Sequence, residues 1–315
     1  MTTARAAVME GPGRIVVREF EIPAAAEGCV VLRISLSGIC GTDKHTFRGE
    51  TKQYAGTSHE RTVVYPLICG HENVGVIADV GGVVYASDGT ILKLGDRVIP
   101  AANVACGHCY YCRNGYPYYL CDNLKNYGNS LNCVPAPHLF GGWSEYLYLL
   151  PGTPIFRVPE SVSDDVAVIT EIMAVTHGVE TAYALMSLQG RPPIGRTVVV
   201  LGVGPLGLCH IVRARLTGAG RIIATDRLPG RLRLAGELGA DELLDVSLTD
   251  QQTRVEAVHT ATGGRGADIV IDCSGVPETF VESLQMVGVA GVVVEVGAFV
   301  ELGPVSMNPN TDICV

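Results

Sequence analysis

The sequence predicts an α/β chain in two parts: a β domain of the partly open barrel type over residues 1–170, and a doubly wound parallel sheet over residues 171–315. Three observations carry this. The length of 315 residues is enough for two separate cores. Up to about residue 165 the chain is made of short β-branched runs broken by Gly, Pro and Asp-Gly. Beyond it, apolar strands alternate with helical stretches, the pattern of a sheet covered on both faces.

In the first part, strands are expected within residues 14–20 (RIVVREF), 29–38 (CVVLRISLSG), 73–82 (NVGVIADVGG), 91–100 (ILKLGDRVIP) and 144–151 (SEYLYLLP). Their irregular spacing, with turn residues between, suits a barrel that does not close fully. In the second part a strand at 197–202 leads into a helix at 206–217, then a strand at 221–226. A helix over 231–238 and a short strand at 242–245 follow. Strands at 269–275 and 292–297 flank a helix near 279–287.

Apolar residues make up 47% of the chain and charged residues 17%, which excludes a disordered polymer. No apolar run reaches the ~18 residues that span a bilayer. The N-terminus lacks the apolar stretch of a secretory signal, so the cytoplasm is the default compartment. A net charge of −9 disfavours nucleic acid as a partner. Arg213, Arg215, Arg221, Arg227, Arg231 and Arg233 cluster, but acidic residues interleave with them and a solvated helical face is expected.

Eleven cysteines in such a chain point to metal ligands and buried thiols. Cys106, Cys109, Cys112 and Cys121 read C-x2-C-x2-C-x8-C, a spacing that lets four thiolates converge on one tetrahedral zinc with no position left for substrate. Cys133 could replace Cys121 as the fourth ligand. Cys29, Cys69, Cys209, Cys273 and Cys314 lie in apolar or strand-like settings and are expected in cores.

Gly202-Val203-Gly204-Pro205-Leu206-Gly207 lies between a predicted strand and a predicted helix. Glycines there permit a tight turn and close approach to a pyrophosphate, which meets the free N–H groups of the helix N-terminus. Asp226 ends the next strand, where a carboxylate accepts hydrogen bonds from ribose hydroxyls and repels an added phosphate. NAD is therefore expected over NADP, although the neighbouring Arg227 softens that preference.

Cys40-Gly41-Thr42-Asp43-Lys44-His45 and Gly70-His71-Glu72, taken with the cysteine loop and the glycine turn, resemble the zinc-dependent medium-chain alcohol dehydrogenases. Within them the chain looks most like the sorbitol and threonine dehydrogenase branch. Gly95-Asp96-Arg97-Val98 and Gly141-Gly142-Trp143-Ser144-Glu145-Tyr146 add to the resemblance, which runs through essentially the whole chain.

The resemblance implies a GroES-like catalytic domain followed by a Rossmann cofactor domain, and two zinc ions, one catalytic and one structural. It implies Cys40 and His71 as catalytic-zinc ligands, with Glu72 in or beside the coordination shell. Glu171 fits a third ligand position that opens a helix, though Ile172 stands where the family has Pro, and a plain N-terminal helix carboxylate is the competing reading. Thr42 matches a hydroxyl that hydrogen-bonds the substrate oxygen, and His45 the outer end of a proton relay. Asp43 would orient a zinc ligand. Arg231 joins Asp226 and the glycine turn as a cofactor-binding residue.

The expected activity is hydride transfer between NAD and a small secondary alcohol or ketone: a polyol, a sugar alcohol or a hydroxy amino acid. Two alternatives are an NADPH-dependent primary-alcohol or aldehyde reductase and a non-catalytic zinc- and nucleotide-binding module. The resemblance further implies a homo-oligomer, dimer or tetramer, for a complete chain.

Three departures stand out. The last cysteine gap holds eight residues where the family has seven, and thirty residues separate Cys40 from His71, several more than is usual. The additional residues fall within 49–64, beside the substrate mouth in the family. The sequence also stops where the family would begin a sixth cofactor-sheet strand, so a C-terminally truncated domain with an unpaired edge is expected.

Overall fold

The computed structural model describes residues 2–57, 60–192, 194–298 and 300–313. His59-Glu60 copies the His-Glu order of residues 71–72 without the preceding apolar run, which suits a solvated loop; His59, and Cys314, expected in a core, lie outside the described residues. The chain divides into two compact units, Met1–Glu171 and Ile172–Val315.

The first unit is built on an antiparallel sheet of five strands in the order Tyr146–Leu149, Val30–Ser37, Asn73–Val80, Arg97–Pro100 and Ile155–Arg157. A three-stranded sheet of Arg14–Glu21, Thr3–Gly11 and Leu67–Ile68 packs with it. The isolated bridge Ala6↔Ser144 and the bond from Ala7 N–H to the Trp143 carbonyl tie the two together. Two register shifts between Val30–Ser37 and Asn73–Val80 bend the larger sheet. Its outer strands do not pair with each other, so the barrel stays open. Alternating residues such as Val8, Leu32, Ile77 and Leu147 fill the interior.

The strand expected over 91–100 is shorter than its apolar content suggests, running only from Arg97 to Pro100. Gly95, at φ +87°, breaks the preceding segment, and Asp96 accepts the Lys93 N–H to close a turn. The strand Thr3–Gly11, which the sequence did not announce, is a full partner of Arg14–Glu21.

The second unit is a five-stranded parallel sheet ordered Glu242–Asp245, Arg221–Asp226, Thr197–Leu201, Ala267–Asp272 and Val287–Glu295. Its pleat sorts the strands cleanly. Val198, Val200, Ile222, Ala224, Ile269 and Ile271 face one core with the helices Gly178–Leu188, Pro205–Leu216 and Pro229–Glu237. Val199, Leu201, Ile223 and Val270 face the other with Gln251–Ala261 and Pro277–Met286.

Five of the clustered arginines are paired with carboxylates: Arg213–Glu180, Arg215–Asp241, Arg221–Glu242, Arg231–Asp226 and Arg233–Glu237. No helix of the described residues is long and apolar enough to cross a membrane.

Candidate active site

The strand Val30–Ser37 delivers the chain to Cys40, which N-caps the helix Gly41–Arg48 in extended backbone. Asp43 accepts the Cys40 N–H at 2.8 Å with one carboxylate oxygen and the Gly70 N–H at 3.4 Å with the other. One buried side chain therefore clamps the Cys40 turn to the turn that carries His71. The thiol of Cys40 lies 3.7 Å from the Thr42 hydroxyl.

His71 and Glu72 sit between the strands Leu67–Ile68 and Asn73–Val80. The turn before them is a crossing of bare backbones: Gly142 N–H donates to the Gly70 carbonyl at 2.8 Å, and Trp143 N–H to the Cys69 carbonyl at 2.9 Å. A Cβ on Gly70 would lie 2.5 Å from the Trp143 ring, and one on Gly142 would lie 1.6 Å from Asn73 Oδ1. Gly38 makes room for Glu72 in the same way, since a Cβ there would meet Glu72 Oε2 at 1.8 Å.

The donor atoms of Cys40, His71 and Glu72 all lie within 4.8 Å of one another. Burial pushes up the carboxyls of Asp43, Glu72 and Glu171. Burial also opposes charge on His71, but the hydrogen bond to Cys40 and the charges of Asp43, Cys40 and Glu171 outweigh it and push the imidazole up to about 9. Its buried Nδ1 has no hydrogen-bond partner, and Asp43 Oδ1 stands 4.0 Å away, beyond bonding distance. A sulfur, a nitrogen and a carboxylate oxygen converging among crowded acids is a donor set suited to Zn2+, whose charge would relieve the mutual repulsion. Glu171, in the first turn of Thr170–Val175, feels His71, Glu72 and Asp43 electrostatically but is not one of the converging three.

Cys106, Cys109, Cys112 and Cys121 also bring their sulfurs within 4.8 Å of one another. Cys109 caps the short helix Tyr110–Arg113, and the turn Tyr118–Leu120 returns the chain to Cys121. Backbone N–H groups point at these sulfurs. The N–H of Cys106 reaches Cys121 Sγ at 3.2 Å, and the bond from the His108 backbone leads in holding the Cys106 thiol down to about 6. Cys112 moves the other way, to about 12, because of burial and then its hydrogen bond with Cys109. Cys133 is elsewhere: it packs in the β core with its thiol toward the Pro66 carbonyl at 3.4 Å.

In the second unit the glycine turn joins the strand Thr197–Leu201 to the helix Pro205–Leu216, with Gly204 as N-cap and Pro205 in the first turn. A Cβ on Gly207 would lie 2.1 Å from the Gly202 carbonyl oxygen, so the helix can approach the strand only with glycine there. Asp226 ends Arg221–Asp226 and accepts the Val203 N–H at 3.0 Å and the Leu228 N–H at 2.9 Å. Arg231 Nη1 lies 3.5 Å from the same carboxylate. Oδ1, which accepts only the Leu228 N–H, retains a lone pair for a ribose hydroxyl. Leu206 and Val203 are the turn's apolar members, Val203 being fully buried.

One contact of a predicted site residue escaped the sequence reading: His45 Nδ1 is paired with Glu50 Oε2 at 2.5 Å. The available signal was Gly49, a glycine placed to end the helix and fold the next residue back.

An open β barrel bearing a thiol–imidazole–carboxylate cluster and a four-sulfur knot, followed by a dinucleotide-type parallel sheet, defines a zinc-containing oxidoreductase. Residues 26–160 match the alcohol dehydrogenase GroES-like domain and residues 205–313 the zinc-binding dehydrogenase family. The chain belongs to the zinc-dependent medium-chain dehydrogenases. It is 31% identical to sorbitol dehydrogenase of Bacillus subtilis over 93% of this chain and 74% of that protein. It is 30% identical to L-threonine 3-dehydrogenase of Pyrococcus furiosus over 89% and 72% of the two. Among solved structures, an alcohol dehydrogenase of Thermotoga maritima superimposes with a TM-score of 0.87 at 33% identity, covering 100% of this chain and 82% of that one.

Proposed function

We propose that this chain interconverts a secondary alcohol and its ketone with NAD as the hydride acceptor, the substrate being a polyol, a sugar alcohol or a hydroxy amino acid. The observation that carries the reading is the convergence of Cys40, His71 and Glu72 beside the Thr42 hydroxyl. Residues 1–170 supply this chemistry and residues 171–315 the cofactor site.

Cys40, His71 and Glu72 would hold the catalytic metal, and Glu171, which feels His71 and Glu72 electrostatically, adds a further carboxyl to its surroundings. A zinc ion held there would acidify an alcohol bound to it, and a nicotinamide cofactor would supply the hydride acceptor. Thr42 accepts the hydrogen bond of the substrate hydroxyl and holds its oxygen in place. His45, three residues further along the same helix, takes up the proton on its way to solvent and returns it in ketone reduction. Asp43 holds the Cys40 and His71 turns in register. The cysteines at 106, 109, 112 and 121 would hold a second zinc, and four thiolates would leave it no position for substrate.

Gly202, Gly204 and Gly207 let the helix N-terminus meet the pyrophosphate, and Asp226 with Arg231 receives the adenosine ribose. The Asp226 carboxylate favours NAD, because a 2′-phosphate would bring negative charge against it. A content of eleven cysteines, most of them read as metal ligands or core thiols, suits a reducing compartment such as the cytoplasm.

Metal analysis combined with NAD-linked absorbance over a panel of alcohols tests this. About two zinc ions per chain with NAD reduction by a secondary alcohol is the expected result. One zinc and no turnover would leave only a zinc- and nucleotide-binding module. His45→Ala is expected to lower kcat by roughly 10- to 100-fold with zinc content intact, since a general base is replaced by water. Loss of zinc in that variant would make His45 a ligand.

A further inference from the structure

Glu50 has no place in the reaction outlined above, yet it is bound to His45 at two points. The helix Gly41–Arg48 ends at Gly49, which adopts φ +85°, a conformation that turns the chain back on itself. Gly49 N–H then donates to the Thr46 carbonyl at 3.0 Å, and Glu50 N–H to the His45 carbonyl at 3.0 Å. The backbone bond brings the Glu50 carboxylate over the imidazole, where Oε2 meets Nδ1 at 2.5 Å.

The supports around this turn are fixed as well. Thr46 Oγ1 donates to the Thr42 carbonyl at 3.0 Å, the Tyr65 hydroxyl donates to the Thr46 carbonyl, and Gly13 N–H donates to the Phe47 carbonyl at 2.7 Å. The pair is partly open to solvent, with side-chain exposures of 21% for His45 and 35% for Glu50. A proton can thus leave the ring without crossing a dry core.

We propose that Glu50 is a positioning residue for His45, fixing the neutral ring as the Nδ1–H tautomer so that Nε2 is the nitrogen that takes the proton. This rests on the assignment of His45 to the proton path. An imidazole left to itself can carry its hydrogen on either nitrogen, and only the bare one can accept. A carboxylate accepts hydrogen bonds and cannot donate them, so it selects Nδ1–H. When the ring acts, the Nε2 lone pair forms an N–H bond, the donor's O–H bond breaks, and the new positive charge lies against Glu50. Nε2 then gives the proton to water, and the ring returns to neutrality with Nδ1–H still held. The negative end of the Gly41–Arg48 helix dipole favours the same charged intermediate.

The test uses Glu50→Gln, His45→Ala and the double variant of the full chain, with NMR long-range correlations of the imidazole nitrogens. The chain has eight histidines, and the His45 signals are those lost in His45→Ala. Glutamine keeps the shape but can donate as well as accept. The expected result is a fall in kcat of about tenfold in Glu50→Gln with KM and zinc content unchanged. The double variant is expected to be no slower than His45→Ala alone, because Glu50 acts through the ring. The spectrum should show the Nδ1–H tautomer in the parent chain and its partial loss in Glu50→Gln.

Additive losses in the double variant, or a His45 tautomer that Glu50→Gln leaves unchanged, would overturn the positioning role while the proton path stands. A His45→Ala variant with unaltered kcat would overturn the proton path and the positioning role together.

Discussion

His71→Ala is expected to remove about one zinc equivalent per chain and to lower turnover by at least about 1,000-fold, the order expected when a few kcal/mol of charge stabilisation at the reacting oxygen disappears. The substitution takes the imidazole nitrogen from a cluster otherwise made of a thiol and carboxyls. What remains is Cys40 and Glu72, with Asp43 and Glu171 close by, and each of these three carboxyls is already pushed up by burial. Such a cluster lowers its charge by binding protons and loses the geometry that selects zinc. Metal analysis and NAD-linked absorbance on the same sample make the measurement. A variant retaining both zinc equivalents and turnover would show that the catalytic metal lies elsewhere.

The second large effect concerns the sulfur knot. Cys121→Ala is expected to release the other zinc and to open the loop between Cys106 and Cys121 to protease. Neither Tyr110–Arg113 nor Tyr118–Leu120 buries a single residue, and Tyr110, Tyr116, Tyr118 and Tyr119 are exposed, so apolar packing does not hold this loop closed. A loss of about 2–3 kcal/mol in the unit that carries it corresponds to a Tm lower by roughly 5–10 °C. Excess chelator should reproduce the cleavage in the unaltered chain. Cys133→Ala is the control. Its sulfur lies in the β core, so that variant should keep full zinc content. Zinc loss from it instead would reassign the fourth ligand.

The sequence made the second unit legible almost strand by strand, because parallel strands buried on both faces are written as unbroken apolar runs between turn residues. The strand Glu242–Asp245 falls where its pattern placed it. The helix Gln251–Ala261 left a weaker trace, since only Arg254 and Val258 along it are buried. In the first unit, Leu67–Ile68 contributes two residues to a sheet whose other strands lie far away in sequence, and alternation cannot reveal so short a piece.

The candidate site divides in the same way. The four-cysteine run could be read from its spacing, because ligand chemistry restricts residue type and interval, whereas Cys40 and His71 stood out only through the family resemblance. The choice between Cys121 and Cys133 depended on how a turn closes, and Glu72 and Glu171 differ only in where two carboxylates point. Glu50 was hidden because its contact with His45 requires a left-handed residue after a helix, a matter of backbone conformation rather than composition.

The glycine crossing behind His71 has a consequence for how this catalyst can diversify. Backbone lies against backbone there, and even one methyl group would displace a loop that bears a metal ligand. That wall is closed to incremental change. The short stretch 54–57 is under no such restriction: it is largely exposed, and a Cβ added at Gly56 would meet open space. Variation should therefore accumulate in that stretch against an unchanging metal-bearing floor, and libraries aimed at residues 54–57 should yield functional variants far more often than libraries aimed at residues 69–72 or 141–143.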